Sequence, residues 1–141
     1  QPLGQVGQVD FAVADVTRPE SVEAAARDST AVINLVAVMG RGMRAINADG
    51  AANVARAAAK VGAGALVHVS AIGADADGEA DYARTKGAGE KAVRDAFAKA
   101  TIVRPSLVFG PEDQLTNRFA GLMAMLPLYP VIAPATLIAG I

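Results

Sequence analysis

Ser70, Tyr82 and Lys86 are the residues whose types and spacing can do chemistry. Tyr82 and Lys86 stand at i and i+4, one turn apart on one helix face, and Ser70 lies twelve residues before Tyr82, at the end of an apolar run. Three such side chains can converge on one spot. Hydride transfer to or from a carbonyl requires a proton to move at the oxygen, and a phenol moves it only if its pKa, about 10 when free, falls toward neutrality. A nearby cation does that. A lysine one turn away, helped by the positive charge of an oxidised nicotinamide, favours the phenolate, and a shift of about three units is worth about 4 kcal/mol. Ser70 then hydrogen-bonds the substrate oxygen. Asn47, which opens the preceding helix, is a fourth candidate as a group that orders a proton-relay water; helix capping or surface polarity is its plainer reading. A Tyr-x-x-x-Lys spacing by itself is on most helices an exposed pair. The weight therefore rests on the buried strand ending in Ser70 and on a following loop with room for substrate.

The elements that must position these residues follow from the pattern. Residues 9–16 read as a short buried strand, and Thr17-Arg18-Pro19-Glu20 as a helix start of the capping-box type with Pro19 in the first turn. Val22, Ala25 and Ala26 give that helix its apolar stripe until Asp28-Ser29-Thr30. Residues 31–38 form an apolar run broken only by Asn34, a second strand. Gly40 and Gly42 mark a loop, after which Ile46, Ala51, Val54, Ala55 and Ala58 recur at helical spacing until Val61, with Gly62 as the C-terminal cap. Residues 65–70 are the third strand, 71–80 an acidic loop, 81–98 a helix, 101–108 the fourth strand and 117–125 a further short helix. Strands alternating with helices, without hairpin signals, predict a doubly wound parallel α/β sheet of Rossmann-like type. Ligands of such sheets sit beyond the carboxyl ends of the strands, here after Val16, Val36, Val69 and Val108.

Composition narrows the classes. A length of 141 residues with 52% hydrophobic content suits one domain with a real core. Thirteen basic residues nearly cancel fourteen acidic ones without a Lys/Arg run, which argues against nucleic acid as a partner. The absence of cysteine excludes disulfides and thiolate metal sites, and one histidine, His68, is poor material for a metal centre, so no metal is expected. His68 sits mid-strand and reads as structural. Residues 122–141 are apolar but interrupted by Pro127, Pro130 and Pro134, a buried or interfacial segment rather than a transmembrane one. The lack of cysteine fits a cytosol-like compartment, and Gln1-Pro2-Leu3-Gly4, without signal-peptide character or an initial methionine, reads as the middle of something longer.

Val67-His68-Val69-Ser70-Ala71, Tyr82-Ala83-Arg84-Thr85-Lys86 and Val103-Arg104-Pro105-Ser106-Leu107-Val108-Phe109-Gly110-Pro111 resemble the extended and atypical short-chain dehydrogenase/reductases, the NAD-dependent epimerase/dehydratase-like proteins. Within them, the run from Ala100 to Ser106, then Phe109-Gly110-Pro111-Glu112-Asp113 and Asn117-Arg118-Phe119, is most similar to the nucleotide-binding accessory subunit of respiratory complex I and its bacterial relatives. The resemblance implies NAD or NADP as cofactor. It places Asp15 and Val16 at the adenine, Ala37 at the adenosine ribose, Lys86 also on the nicotinamide ribose, and Pro105 and Ser106 at the nicotinamide. For Asp15 the plain reading is a turn or capping carboxylate, and for Ala37 simple core packing. Two functions follow: an NAD(P)-dependent oxidoreductase or epimerase/dehydratase acting on an unknown small molecule, or a non-catalytic accessory or assembly subunit of complex I, peripheral to an inner membrane.

The family pattern is incomplete here. The Gly-rich turn that presents pyrophosphate to a helix N-terminus is missing, and Gly4-Gln5-Val6-Gly7 precedes a strand instead of linking strand to helix. The residue that separates NAD from NADP is missing too. Residues 1–141 are therefore expected to be a Rossmann domain incomplete at its N-terminus, from about the third strand onwards, with a substrate region starting near 112–141. The stretch between Ala37 and Asn47 also reads as several residues shorter than in relatives.

Overall fold

A computed structural model describes residues 9–106, 108 and 110. The chain forms two compact units, Gln1–Arg104 and Pro105–Ile141. In the first, β1 (Ala31–Asn34), β2 (Ala65–Val69) and β3 (Thr101–Val103) make a parallel sheet in the order β1-β2-β3, with Ala31 opposite Ala65 and Val67 opposite Thr101. Parallel neighbours need crossovers, and helices supply them. α1 (Pro19–Ala26) precedes β1; a π-helical segment (Arg44–Gly50) running into α2 (Ala51–Lys60) joins β1 to β2; α3 (Asp81–Ala96) joins β2 to β3.

The period-2 alternation of the strands sends Val32, Leu66 and Ile102 into the core shared with Val22 of α1, Val54, Ala55 and Ala58 of α2, and Val93 of α3. Ile33 and Val103, on the alternate positions, are exposed. The buried stripe of α2 is mostly alanine, and these short side chains let α1 and α3 both pack against it. Burial of Leu66 and Val93 stabilises by about 1.5–3 kcal/mol each.

Two glycines in the middle of α3 set the next level of packing. A mid-helix glycine costs about 1 kcal/mol relative to alanine. Here a Cβ on Gly87 would overlap the backbone of Asp75 and Ala76, and one on Gly89 would overlap the carbonyl oxygen of Asn47. α3 therefore lies backbone to backbone against the loop after β2 and against the π segment.

Several boundaries differ from the sequence-based expectation. Residues 9–16 form no strand, since no described strand pairs with them, and Phe11 and Val13 are exposed. A ladder needs a partner, so apolar alternation alone does not make one. The described sheet thus has three strands. The capping box does not form: Arg18 is the N-cap, Pro19 begins the helix, and both the amide and the hydroxyl of Thr17 donate to Asp15 Oδ1. β1 stops at Asn34 because its side-chain oxygen accepts the Val36 amide, turning the chain out of the ladder. The helix after Gly42 starts with π geometry, which a 3.6-residue pattern does not reveal. Gly62 does take the left-handed conformation expected of a helix cap, φ +74°. The expected loop of residues 4–7, the helix of 117–125 and the region 112–141 lie outside the described residues.

Candidate functional site

Lys86 is 1% exposed, and its Nζ donates to the Val69 carbonyl at 2.9 Å. The next residue, Ser70, donates its backbone N–H to Val103 O at 2.7 Å. Its hydroxyl is buried and has no hydrogen-bond partner of normal geometry among the described residues. Ser70 and Lys86 therefore meet at the carboxyl end of β2, where an α/β sheet places its ligands. Tyr82 is half-buried one turn before Lys86 on α3, and no described group hydrogen-bonds its hydroxyl. Burial pushes the Lys86 ammonium below its ordinary pKa, and the Glu90 carboxylate one turn on opposes that.

Asn47 is buried in the π segment, which removes surface polarity as its explanation. Its Oδ1 accepts the Val38 amide at 2.9 Å, and its Nδ2 donates to Val38 O at 2.9 Å and to Thr85 Oγ1 at 3.3 Å. The side chain thus ties the loop after β1 to α3. Helix capping is not its role either, because both bonds to Val38 reach outside the helix.

The expected adenosine contacts lie in the segment before α1 and just beyond β1. Asp15 is exposed, and hydrogen bonds from the Thr17 hydroxyl and then the Thr17 amide hold its carboxyl below the usual range. Its N–H donates to Ser21 Oγ, so the residue serves the turn into α1. The Val16 carbonyl accepts Asn53 Nδ2 at 2.8 Å. Ala37 is exposed just beyond β1, so core packing does not account for it. Pro105 and Ser106 open the second unit, and their place at the nicotinamide rests on the sequence alone.

Behind Ser70 and Lys86 lies a buried polar layer. Asn34 Oδ1 already accepts from Val36, so its Nδ2 donates to His68 Nδ1 at 3.0 Å and assigns the tautomer protonated at Nε2. Burial, and then the charge of Lys86, push the His68 pKa down to about 4. The ring is neutral near pH 7, in keeping with a structural role. Glu90 is 2% exposed and held by Arg104, Nε to Oε1 at 2.8 Å and Nη2 to Oε2 at 2.7 Å. Burial pushes the Glu90 carboxyl up, but Arg104, the neighbouring Ser70 hydroxyl and Arg94 outweigh it and leave it below the ordinary value. Sequence reasoning missed Glu90, Arg104, Gly87 and Gly89. The available signals were a carboxylate four residues after Lys86, on the face that must be buried, and two glycines inside an otherwise regular helix.

A buried serine hydroxyl beside an ammonium with one described bond makes a donor set suited to ribose and carbonyl oxygens. That chemistry fits a bound dinucleotide with a substrate beside it. A family model for NAD(P)H-binding domains matches residues 1–119. The chain belongs to that family. It is 34% identical over 128 residues to the 40 kDa subunit of NADH-ubiquinone oxidoreductase of Neurospora crassa, covering 88% of this chain and 33% of that protein. It is 36% identical to subunit 9 of the NADH dehydrogenase 1 alpha subcomplex of Mus musculus (84% and 32%) and 32% identical to a ceramide reductase of Caulobacter vibrioides (94% and 43%). The chain thus spans between a third and two fifths or so of these curated relatives' length. A dTDP-4-dehydrorhamnose reductase of Clostridium acetobutylicum superposes with a TM-score of 0.67 at 27% identity, covering 79% of this chain and 48% of that one. The corresponding reductase of Bacillus anthracis, in complex with NADP, has a TM-score of 0.68 at 24% identity, covers 80% and 48%, and attests the fold alone. The domain is Rossmann-like and of the short-chain dehydrogenase/reductase lineage, with NAD(P) as its cofactor class. Among the described residues no helix is long and apolar enough to cross a membrane.

Proposed function

We propose that this chain carries the proton-transfer centre of an NAD(P)-dependent oxidoreductase or epimerase/dehydratase acting on a small molecule. The observation that carries the reading is Lys86, buried and fixed on the Val69 carbonyl, beside the buried Ser70 at the end of β2. A nicotinamide, when bound, gives or takes the hydride. Tyr82 gives or takes the proton at the substrate oxygen, and Ser70 hydrogen-bonds that oxygen. Lys86 keeps a positive charge beside the phenol and directs its remaining donors to the nicotinamide ribose. Asn47 holds the loop after β1 in register with α3. Asp15 and Val16 border the adenine, Ala37 the adenosine ribose, and Pro105 and Ser106 the nicotinamide. The compartment of such an enzyme is cytosol-like.

A second reading is favoured by the 34% and 36% identity to complex I subunits: a nucleotide-holding accessory or assembly subunit, peripheral to an inner membrane. Tyr82→Phe separates the two, because it deletes only the ionisable oxygen. In the enzyme, turnover by the full-length protein disappears while dinucleotide affinity persists. Full activity in Tyr82→Phe, in an assay the wild type passes, removes the catalytic assignment.

A further inference from the structure

Two apolar side chains stand exposed beyond the strand ends that carry the proposed proton-transfer residues. Ile72 follows Ser70 by two residues and is 62% exposed, and Met39, five residues beyond the end of β1, is 79% exposed. A short relay ties the chain at Met39 to α3. The amide and carbonyl of the preceding residue, Val38, are both held by the Asn47 side chain at 2.9 Å; Asn47 Nδ2 donates to Thr85 Oγ1 at 3.3 Å, and Thr85 Oγ1 donates to the Tyr82 carbonyl at 3.1 Å. A single exposed apolar residue is ordinary on a protein surface. These two belong to different loops, one tied through that relay to Tyr82 and the other adjoining Ser70, where an α/β sheet places its ligands.

The charges in the same region bear on what such a ligand can be. Residues 71–80, the loop that starts at Ser70, carry Asp75, Asp77 and Glu79, all exposed, and no lysine or arginine. Nearby cations are already engaged: Lys86 on the Val69 carbonyl, Arg104 on Glu90, and Arg84 on the Gly78 and Glu79 carbonyls and the Asp81 carboxylate. Arg41 and Arg44 are exposed after β1, two cations against three carboxylates. An acidic loop repels an anionic substrate over a Debye length, about 8 Å at physiological ionic strength, and is indifferent to a neutral one. We infer that the substrate of this site is an uncharged carbonyl compound with an alkyl chain, its carbonyl at Ser70 and Tyr82 and its chain on Ile72 and Met39, and not a sugar nucleotide. This rests on the proposed use of Ser70 and Tyr82. In the reduction the carbonyl carbon receives the hydride of a reduced nicotinamide and the oxygen takes the Tyr82 proton, giving an alcohol and the oxidised nicotinamide; solvent returns the proton to Tyr82.

The test gives the full-length protein a series of straight-chain 2-alkanones and, separately, a nucleoside-diphosphate keto sugar. Straight-chain primary amides, which keep the carbonyl but are not reduced, report binding to the dinucleotide complex by calorimetry without any turnover. The expected result is a rise in kcat/KM, and a fall in amide Kd, of about fourfold per added methylene over the first several carbons. Ile72→Asp and Met39→Asp should each weaken the longer ligands about tenfold and flatten both series, with KM for the dinucleotide within about twofold. A flat series in both rate and binding overturns the inference. So does a keto sugar with a higher kcat/KM than every alkanone, an advantage that Arg41→Gln/Arg44→Gln would then remove. If no alkanone is reduced but amide affinity still climbs with chain length and falls in Ile72→Asp, the catalytic reading fails and the alkyl-chain site stands.

Discussion

Gly89→Ala puts two effects of opposite sign against each other. Intrinsic helix propensity favours alanine by about 1 kcal/mol in a helix interior, so on local grounds α3 should gain. The added Cβ, however, falls on the carbonyl oxygen of Asn47, a backbone atom of the π segment. No side-chain rotation relieves that contact, so α3 and the segment must separate by on the order of 1 Å, and overpacking of this kind costs about 3 kcal/mol. The net is a loss of about 2 kcal/mol, or a fall in Tm on the order of 6–10 °C for a unit of this size. Displacing the π segment also pulls Asn47 from Val38 and Thr85, so the loop after β1 should lose protection in hydrogen exchange. Urea unfolding with two spectroscopic probes, together with a thermal melt, measures the effect. A variant that melts at or above the wild-type temperature would mean that the close approach of α3 to Asn47 is not part of the native state.

Asn47→Ala leaves both polar groups of the Val38 backbone without their partner, so a loss of about 2–3 kcal/mol is expected by chemical denaturation, alongside any fall in turnover. For His68 the folded pKa of about 4 lies below the unfolded value of about 6.5, so the unfolded chain binds the extra proton first. Its contribution is present above pH 6.5 and is lost as pH falls toward 4, by at most about 3 kcal/mol; His68→Gln should flatten the stability profile in that window. Lys86→Met removes the ammonium and its bond to Val69, so both turnover and dinucleotide affinity should drop, which calorimetric titration and initial rates will read. Retained affinity would take Lys86 off the nicotinamide ribose.

Much of the architecture was legible in the residues themselves. Apolar runs placed β1, β2 and β3 within a few residues, helical spacing placed α1, α2 and α3, and Gly62 marked a helix end, because burial periodicity and left-handed turns leave local traces. Ser70 and Lys86 were legible too, since a strand end and a position one turn into the next helix are fixed by chain geometry. The extent of each strand was not. Residues 9–16 carry an apolar pattern but lack a described partner, and a hydrogen-bond ladder belongs to two strands at once. Nor did the sequence disclose that Asn47 spends its amide on Val38 and Thr85, that Gly87 and Gly89 admit another backbone against α3, or that Arg104 reaches back to Glu90. Those contacts join residues between nine and forty-two positions apart. Local sequence determines what each segment prefers, whereas which backbone comes to lie against Gly89, and which cation meets a buried carboxylate, is decided only when α3 settles on the strand ends.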